Sequence, residues 1–449
     1  MKENCMKMNR ADRGDLTKGP IATQLILFSL PLLGSSLIQQ LYNTVDIMFV
    51  GRLLTTEAVA AVGASSLIVT CILGFFTGVG VGVGVLSGHS YGAKDYKRLH
   101  DVIHTAAAFA LIAALAVTIL CIGLAPTFLS WLGTPQDIME LAVVYVRIYF
   151  LSIFSIVSFN ISSGILRALG NSKAPMYYQL AGGITNVFAD FIFLYVFHMG
   201  VAGAALATFC SQTMAAVLTI RHLFAMNPQY RLKIQDIRFY KGNLAGILRI
   251  GIPSGIQSMI ITFSNLIVQS QINSLGVTSI AAFTSYFKVE CFIYLPIVSI
   301  GQSASTFTSQ NIGAGDVPRV KKGARIAILL GVGLTVVLSG ILLLFSQVSF
   351  SWFTRDPSVI VLGSQLARRA FPFYFLYVFM EVYASTIRGA GHPIPPMCII
   401  IFNSCIMRTI ILLLIMHSSP AATSVVFIYP ITWALNAILF SAYYHSGRW

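Results

Sequence analysis

Charge is what this sequence has least of. Only 10% of its 449 residues are charged, where a soluble domain carries about a quarter. So few charges cannot clothe a water-exposed surface, which excludes a soluble domain of any size. Paired cysteine is missing too. The seven cysteines (Cys5, Cys71, Cys121, Cys210, Cys291, Cys398, Cys405) make no CxxC pair and no ligand spacing. Neither a disulfide framework nor a thiolate centre is expected, and cysteines inside apolar runs behave as small hydrophobes. His89, His104 and His198 stand isolated, with no metal-ligand spacing and no catalytic constellation. The chain therefore reads as a carrier rather than an enzyme, with no cofactor.

What is present is apolar: 56% of residues, with a mean hydropathy of +0.79. A bilayer core takes about 20 mostly apolar residues per helical span. Runs of that kind fall at 23–50, 56–88, 102–125, 138–166, 175–197, 200–224, 246–273, 277–308, 324–350, 358–387, 394–416 and 420–443. A membrane barrel needs alternating segments of about ten residues, whereas 106–125 (AAAFALIAALAVTILCIGLA) is apolar all round. The expected fold is an all-α polytopic membrane protein of twelve transmembrane helices. The polar first 20 residues, followed by an apolar run with no AxA-type end, argue for a first helix that is retained.

The net charge of +14 suggests nucleic acid only until the bases are placed. With a cytoplasmic N-terminus, 22 of the 29 fall in the tail and in alternate connections. That is the positive-inside pattern of a multi-pass protein of a bacterial inner membrane, with both termini cytoplasmic. No nucleic-acid partner is expected; membrane lipid is, and the chain is expected to act as a monomer.

The sequence also repeats itself. GAKDYKRL (92–99) matches GAGDVPRV (313–320), Ser130-Trp131 matches Ser351-Trp352, and RALGNSKAPM (167–176) matches RGAGHPIPPM (388–397), each pair 221 residues apart. Pro31 pairs with Pro253 one residue out of that register. The chain is thus expected to divide into a tail (1–20), a six-helix bundle (21–224), a basic linker (225–245) and a second six-helix bundle (246–449). An even number of spans per half gives both halves one orientation, so the bundles are related by a pseudo-two-fold axis along the membrane normal. Transporters of this plan bind substrate near the midplane.

Ionisable residues within spans are costly, and functional by default. Counting inward from the expected outer ends at 1.5 Å per residue, Asp46 lies about 6 Å deep, Asp190 about 12 Å and Thr208 about 12–13 Å. Asn186 sits one turn before Asp190 on the same face. Two carboxylates, an amide and a hydroxyl on three helices of one half suit a small hard cation. Neighbouring carboxylates at low dielectric also suit a proton, since both cannot cheaply ionise. The second half has Ile411 where Asp190 would repeat, and Val268 near the place of Asp46. It carries Lys288 and Glu290 instead, read as substrate-facing or gating groups or else as a structural charge pair. Glu381 and Arg408 are expected to pair between spans 10 and 11. The glycines at 74, 78, 80, 82 and 84 lack a preceding strand, so helix packing explains them better than phosphate binding. Pro31, Pro253, Pro296 and Pro372 read as kinks.

LPLLGSSLIQQLYNTVDIMFVG (30–51), the AVAAVG that follows, and the RALGNSKAP and QNIGAGD stretches resemble the multidrug and toxic compound extrusion (MATE) family, from about residue 20 to 445. The resemblance implies two bundles alternating between outward- and inward-open states. It also implies antiport, with organic and often cationic amphipathic compounds exported against Na⁺ or H⁺. In one subgroup the cation site is an Asp in helix 1, Asn-x-x-x-Asp in helix 5 and a Thr in helix 6, which match Asp46, Asn186, Asp190 and Thr208; Tyr42 matches as well. Another subgroup places an acid in helix 7, where this chain has Gln257 and Asn265. Glu381 leaves room for a contribution from the second half. Gln39, Tyr42, Asn43, Asn160, Lys288 and Glu290 are the expected substrate path, and Pro31 the expected hinge. The rival readings are a flippase for lipid-linked oligosaccharide or related amphipathic cargo, a channel, and a membrane receptor or scaffold.

Overall fold

The structure, a computed structural model, describes residues 14–449. The expected tail lies outside the described residues as far as residue 13. Among the described residues there are helices and connecting turns but no strand. That follows from the solvent: where no water can satisfy the backbone, a helix meets its own N–H and C=O groups. Among the described residues eleven helices are long and apolar enough to span: α1 (Ile21–Leu53), α2 (Thr56–Gly92), α3 (Tyr96–Trp131), α4 (Gln136–Ala168), α5 (Lys173–Val196), α6 (Gly200–Phe224), α7 (Asn243–Asn273), α8 (Val277–Gly313), α9 (Val317–Leu344), α11 (Ile394–Ser418) and α12 (Ala422–His445). The twelfth, α10, is the pair Pro357–Phe373 and Phe375–Gly389, bent by 53°. Its break follows Pro372, which supplies no N–H to the ladder. By contrast α1, α7 and α8 run as single helices through Pro31, Pro253 and Pro296.

The repeat is visible in the helix ends. Thr56–Gly92 and Val277–Gly313 are each 37 residues long and begin 221 apart. Asp95 caps α3 by accepting the Arg98 N–H, and Asp316 caps α9 by accepting the Arg319 N–H, both at 2.9 Å. A side-chain oxygen there satisfies one of the orphan donors of a helix start.

The described residues form two compact units: 14–17 with 31–255, and 18–30 with 256–449. The division therefore falls within α1 at Pro31 and within α7 after Gly255, not at the linker. In the first unit, α2 is held by close backbone contact on two sides. A Cβ at Gly82 would lie 2.6 Å from the Gly251 nitrogen, and one at Gly78 would meet Gly255. On the other side Gly80 faces the Asn160 carbonyl and Gly84 that of Gly164. Small residues let helices approach where lipid offers no hydrophobic drive to press them together.

Candidate functional site

Three helices of the first unit bring the sequence-marked residues together. Tyr42 and Asp46 lie one turn apart on α1. Gln179, Asn186 and Asp190 lie on α5, where Gly182 and Gly183 leave room for α6 and α1. A Cβ at Gly182 would lie 3.0 Å from the Ser211 carbonyl of α6, and one at Gly183 would lie 3.0 Å from the Tyr42 ring. The Tyr42 hydroxyl accepts from Gln179 Nε2 at 3.2 Å, and the amides of Gln212 and Gln39 also reach it. One turn further along α1, the carboxyl group of Asp46 lies beside that of Asp190. Asp190 and Asn186 are fully buried. Asp46 Oδ1, Asn186 Oδ1 and both Asp190 oxygens have no hydrogen-bond donor among the described residues. Thr208 is half-buried on α6, one turn from Gln212, and its hydroxyl donates to the Ala204 carbonyl at 3.2 Å. No direct bond joins it to the carboxylates among the described residues. Immediately after Asp190, α5 widens into a π-helical turn, Phe191–Val196, a distortion that recurs at functional sites.

Sequence reading missed the fourth wall. Tyr145 and Tyr149 of α4, both buried, have rings 5.9 Å apart. Tyr145 feels the charges of both Asp46 and Asp190, and Tyr149 that of Asp46. Their i,i+4 spacing was the available signal, but a Tyr pair on an apolar helix looks like core until its neighbours are known.

Of the other substrate-path residues, Gln39 joins this group through Tyr42, though it is exposed, and Asn43 is exposed on α1. Asn160 on α4 donates to the Ile156 carbonyl at 2.9 Å and receives the Thr77 hydroxyl at 3.5 Å.

In the second unit the expected Glu381–Arg408 pair does not form, and of the two readings of Lys288 and Glu290 the charge pair does not hold. Lys288 and Glu290 point away from one another, as residues two apart on a helix must. Lys288 is exposed, its Nζ 5.7 Å from the Phe353 ring centre. Glu290 is buried and accepts from Tyr374 at 3.0 Å and Tyr286 at 3.3 Å. Glu381 pairs with Arg388 at 3.6 Å, two helical turns away, rather than with Arg408. Arg408 donates to Ser264, Asn265 and Thr432 at 3.1–3.4 Å and stacks over Tyr429. Asn265, one of the two residues standing where a helix-7 acid might be, is thus a guanidinium partner. His104 is not isolated either: His100, one turn before it, lies 3.9 Å away ring to ring.

The family model MatE matches residues 31–192 and again 253–414, one match per repeat. The chain belongs to the MatE family. Among similar proteins, the Probable multidrug resistance protein YoeA of Bacillus subtilis is 27% identical over 442 residues, covering 95% of this chain and 94% of that one. Multidrug export protein MepA of Staphylococcus aureus is 24% identical over 379 residues, covering 83% and 84%. An outward-facing multidrug resistance MATE family transporter of the MOP superfamily superposes with a TM-score of 0.91 at 23% identity, covering 98% of each chain. A MOP superfamily transporter from Pyrococcus furiosus superposes at 0.89, also at 23% identity and 98% coverage of each chain. These likenesses show the MatE fold of a multi-pass membrane protein.

Proposed function

We propose that this MatE chain is a secondary active multidrug exporter of a bacterial inner membrane. It moves organic, often cationic amphipathic compounds outward against inward Na⁺ or H⁺ by alternating access. It acts as a monomer with both termini cytoplasmic. The observation that carries the reading is the knot of four donor-less buried oxygens on Asp46, Asn186 and Asp190. Buried carboxylates without a partner cost several kcal/mol, so the site stands ready for a cation or a proton. Asp46, Asn186, Asp190 and Thr208 form the coupling site in this reading, with Tyr145 and Tyr149 as its wall. Names borne by similar proteins, multidrug resistance and multidrug export, support the cargo class.

Coupling requires the ion to favour one conformation over the other, because a ligand equal in both shifts nothing. Pro31 is the hinge proposed for that change: the division between the compact units falls at this residue. Gln39, Tyr42, Asn43 and Asn160 of the first unit, and Lys288 and Glu290 of the second, contribute to the substrate path.

The test is transport by the purified protein in liposomes, with Na⁺ and pH gradients imposed separately against a panel of dyes and antibiotics. Wild type exports when one gradient is applied. Asp46→Asn and Asp190→Asn fold and insert yet lose that response. Gradient-driven export that persists in both variants overturns the assignment.

A further inference from the structure

The segment that joins the two repeats is docked on the first unit. Leu232 is buried and its N–H donates to the Leu223 carbonyl at 3.1 Å. Tyr230 stacks on Tyr96 of α3, centres 5.7 Å apart. Two more linker N–H groups end on α3 side chains: Lys233 on His104 Nε2 at 3.0 Å, and Tyr240 on Thr105 Oγ1 at 3.1 Å. His104 is therefore neutral. Its Nε2 accepts a backbone N–H, while Nδ1 sits 2.7 Å from the His100 carbonyl and must carry the proton.

His100 is different. Its Nδ1 lies 3.2 Å from Asp101 Oδ1 and its Nε2 3.3 Å from Asp236 Oδ2, so one ring stands between two carboxylates. A neutral imidazole has one N–H and must turn a lone pair on the other carboxylate; an imidazolium donates to both. Asp101 belongs to α3 itself, whereas Asp236 belongs to a short turn in the linker, Ile234–Asp236. Of the two His100 bonds, only the one to Asp236 ties linker to helix.

We propose that His100 is a proton-operated latch that docks the inter-repeat linker on the first turns of α3. Protonation closes the Asp101–His100–Asp236 bridge; deprotonation opens its linker side. The titratable and charged groups facing His100 are Asp101 and His104 from α3, and Asp236, Lys233 and Tyr240 from the linker, with Arg238 stacked on Tyr240 at 4.9 Å. A metal bridging the same residues meets a filled position, since His104 Nε2 already accepts the Lys233 N–H. None of this involves the Asp46–Asp190 site.

Hydrogen exchange of the full-length protein in detergent tests the latch without any gradient or substrate. Each rate is referred to that of an unstructured chain at the same pH. Protection over residues 230–240 should fall about tenfold between about pH 5.5 and about pH 8.5, the worth of one charge-assisted hydrogen bond. His100→Gln, which has one donor and one acceptor, and the half-exposed Asp236→Asn should show low protection at both pH values. Unchanged protection of α2 and α4 in both variants shows that the unit is intact. Three results overturn the latch: a flat profile in wild type, a wild-type profile in His100→Gln, or loss of protection when a chelator is added at low pH.

Discussion

Lys94 shows how one residue can carry a strain that its repeat partner avoids. Both sit just past the helix that precedes a capping aspartate, and both take a left-handed backbone: φ is 57° at Lys94 and 77° at Gly315. A side chain there clashes with its own backbone; glycine does not. Lys94→Gly should therefore stabilise the protein by about 1 kcal/mol and Gly315→Lys should destabilise it, read as opposite shifts in thermal unfolding in detergent. Arg408 presents the reverse case, a residue whose partners sequence spacing could not reveal. Its three partners lie 24, 143 and 144 residues away, so the expected bond to Glu381 was a guess from charge alone. Glu381 met a nearer base, Arg388, at seven residues' distance on its own helix. Arg408→Met strips a donor from Asn265, Ser264 and Thr432 and should cost about 2 kcal/mol. Lys in its place should restore under half of that, because a single ammonium cannot reproduce a planar fork. Equal stability of the Met variant and wild type would remove the structural role of those bonds.

At the scale of elements, the glycines of α2 explain themselves by what they touch. Sequence showed small residues at two-residue spacing, which puts them on opposed helix faces. The structure gives each face a different neighbour: the first turns of α7 at Gly78 and Gly82, and α4 at Gly80 and Gly84. Gly82→Ala puts a methyl against backbone that cannot rotate away, and should cost about 1–3 kcal/mol. Gly123→Ala on α3, with nothing within 4 Å of the new carbon, should be neutral or mildly stabilising. Thermal melts of the two variants decide the matter, and a Gly82→Ala protein as stable as wild type would mean that the helices part easily. The π-helical turns were not legible at all. One follows Asp190 (Phe191–Val196) and the other precedes Arg408 (Ile401–Met407). Each is a local widening fixed by which side chains must fit beside the charge, and hydrophobic period alone cannot show it. The break in α10 was half legible: Pro372 marked the place, but Pro31, Pro253 and Pro296 carried the same mark in helices that continue.

At the scale of the molecule, the repeat was plain in the sequence, and the family model matches once in each half. The crossing of the compact units at Pro31 and Gly255 was not, because chain order says nothing about which unit a half-helix packs in. The repeats have kept their caps and helix lengths while parting in chemistry. The first unit holds a pair of carboxyls without donors; the second holds Glu290 and Glu381, each already bonded, to tyrosines and to Arg388 with Ser385 respectively. A bonded acid has less to gain from a cation than an orphaned one. If coupling lives where oxygens lack donors, Glu381→Gln should leave gradient-stimulated export within about threefold of wild type, about 0.65 kcal/mol or less by the usual conversion. The double variant Asp46→Asn, Asp190→Asn should abolish that stimulation, while substrate still exchanges down its own gradient. Counterflow and gradient-driven uptake in the same liposomes separate the two effects. Loss of stimulation in Glu381→Gln would place part of the coupling in the second unit, and the asymmetry drawn from the unpaired oxygens would then fail.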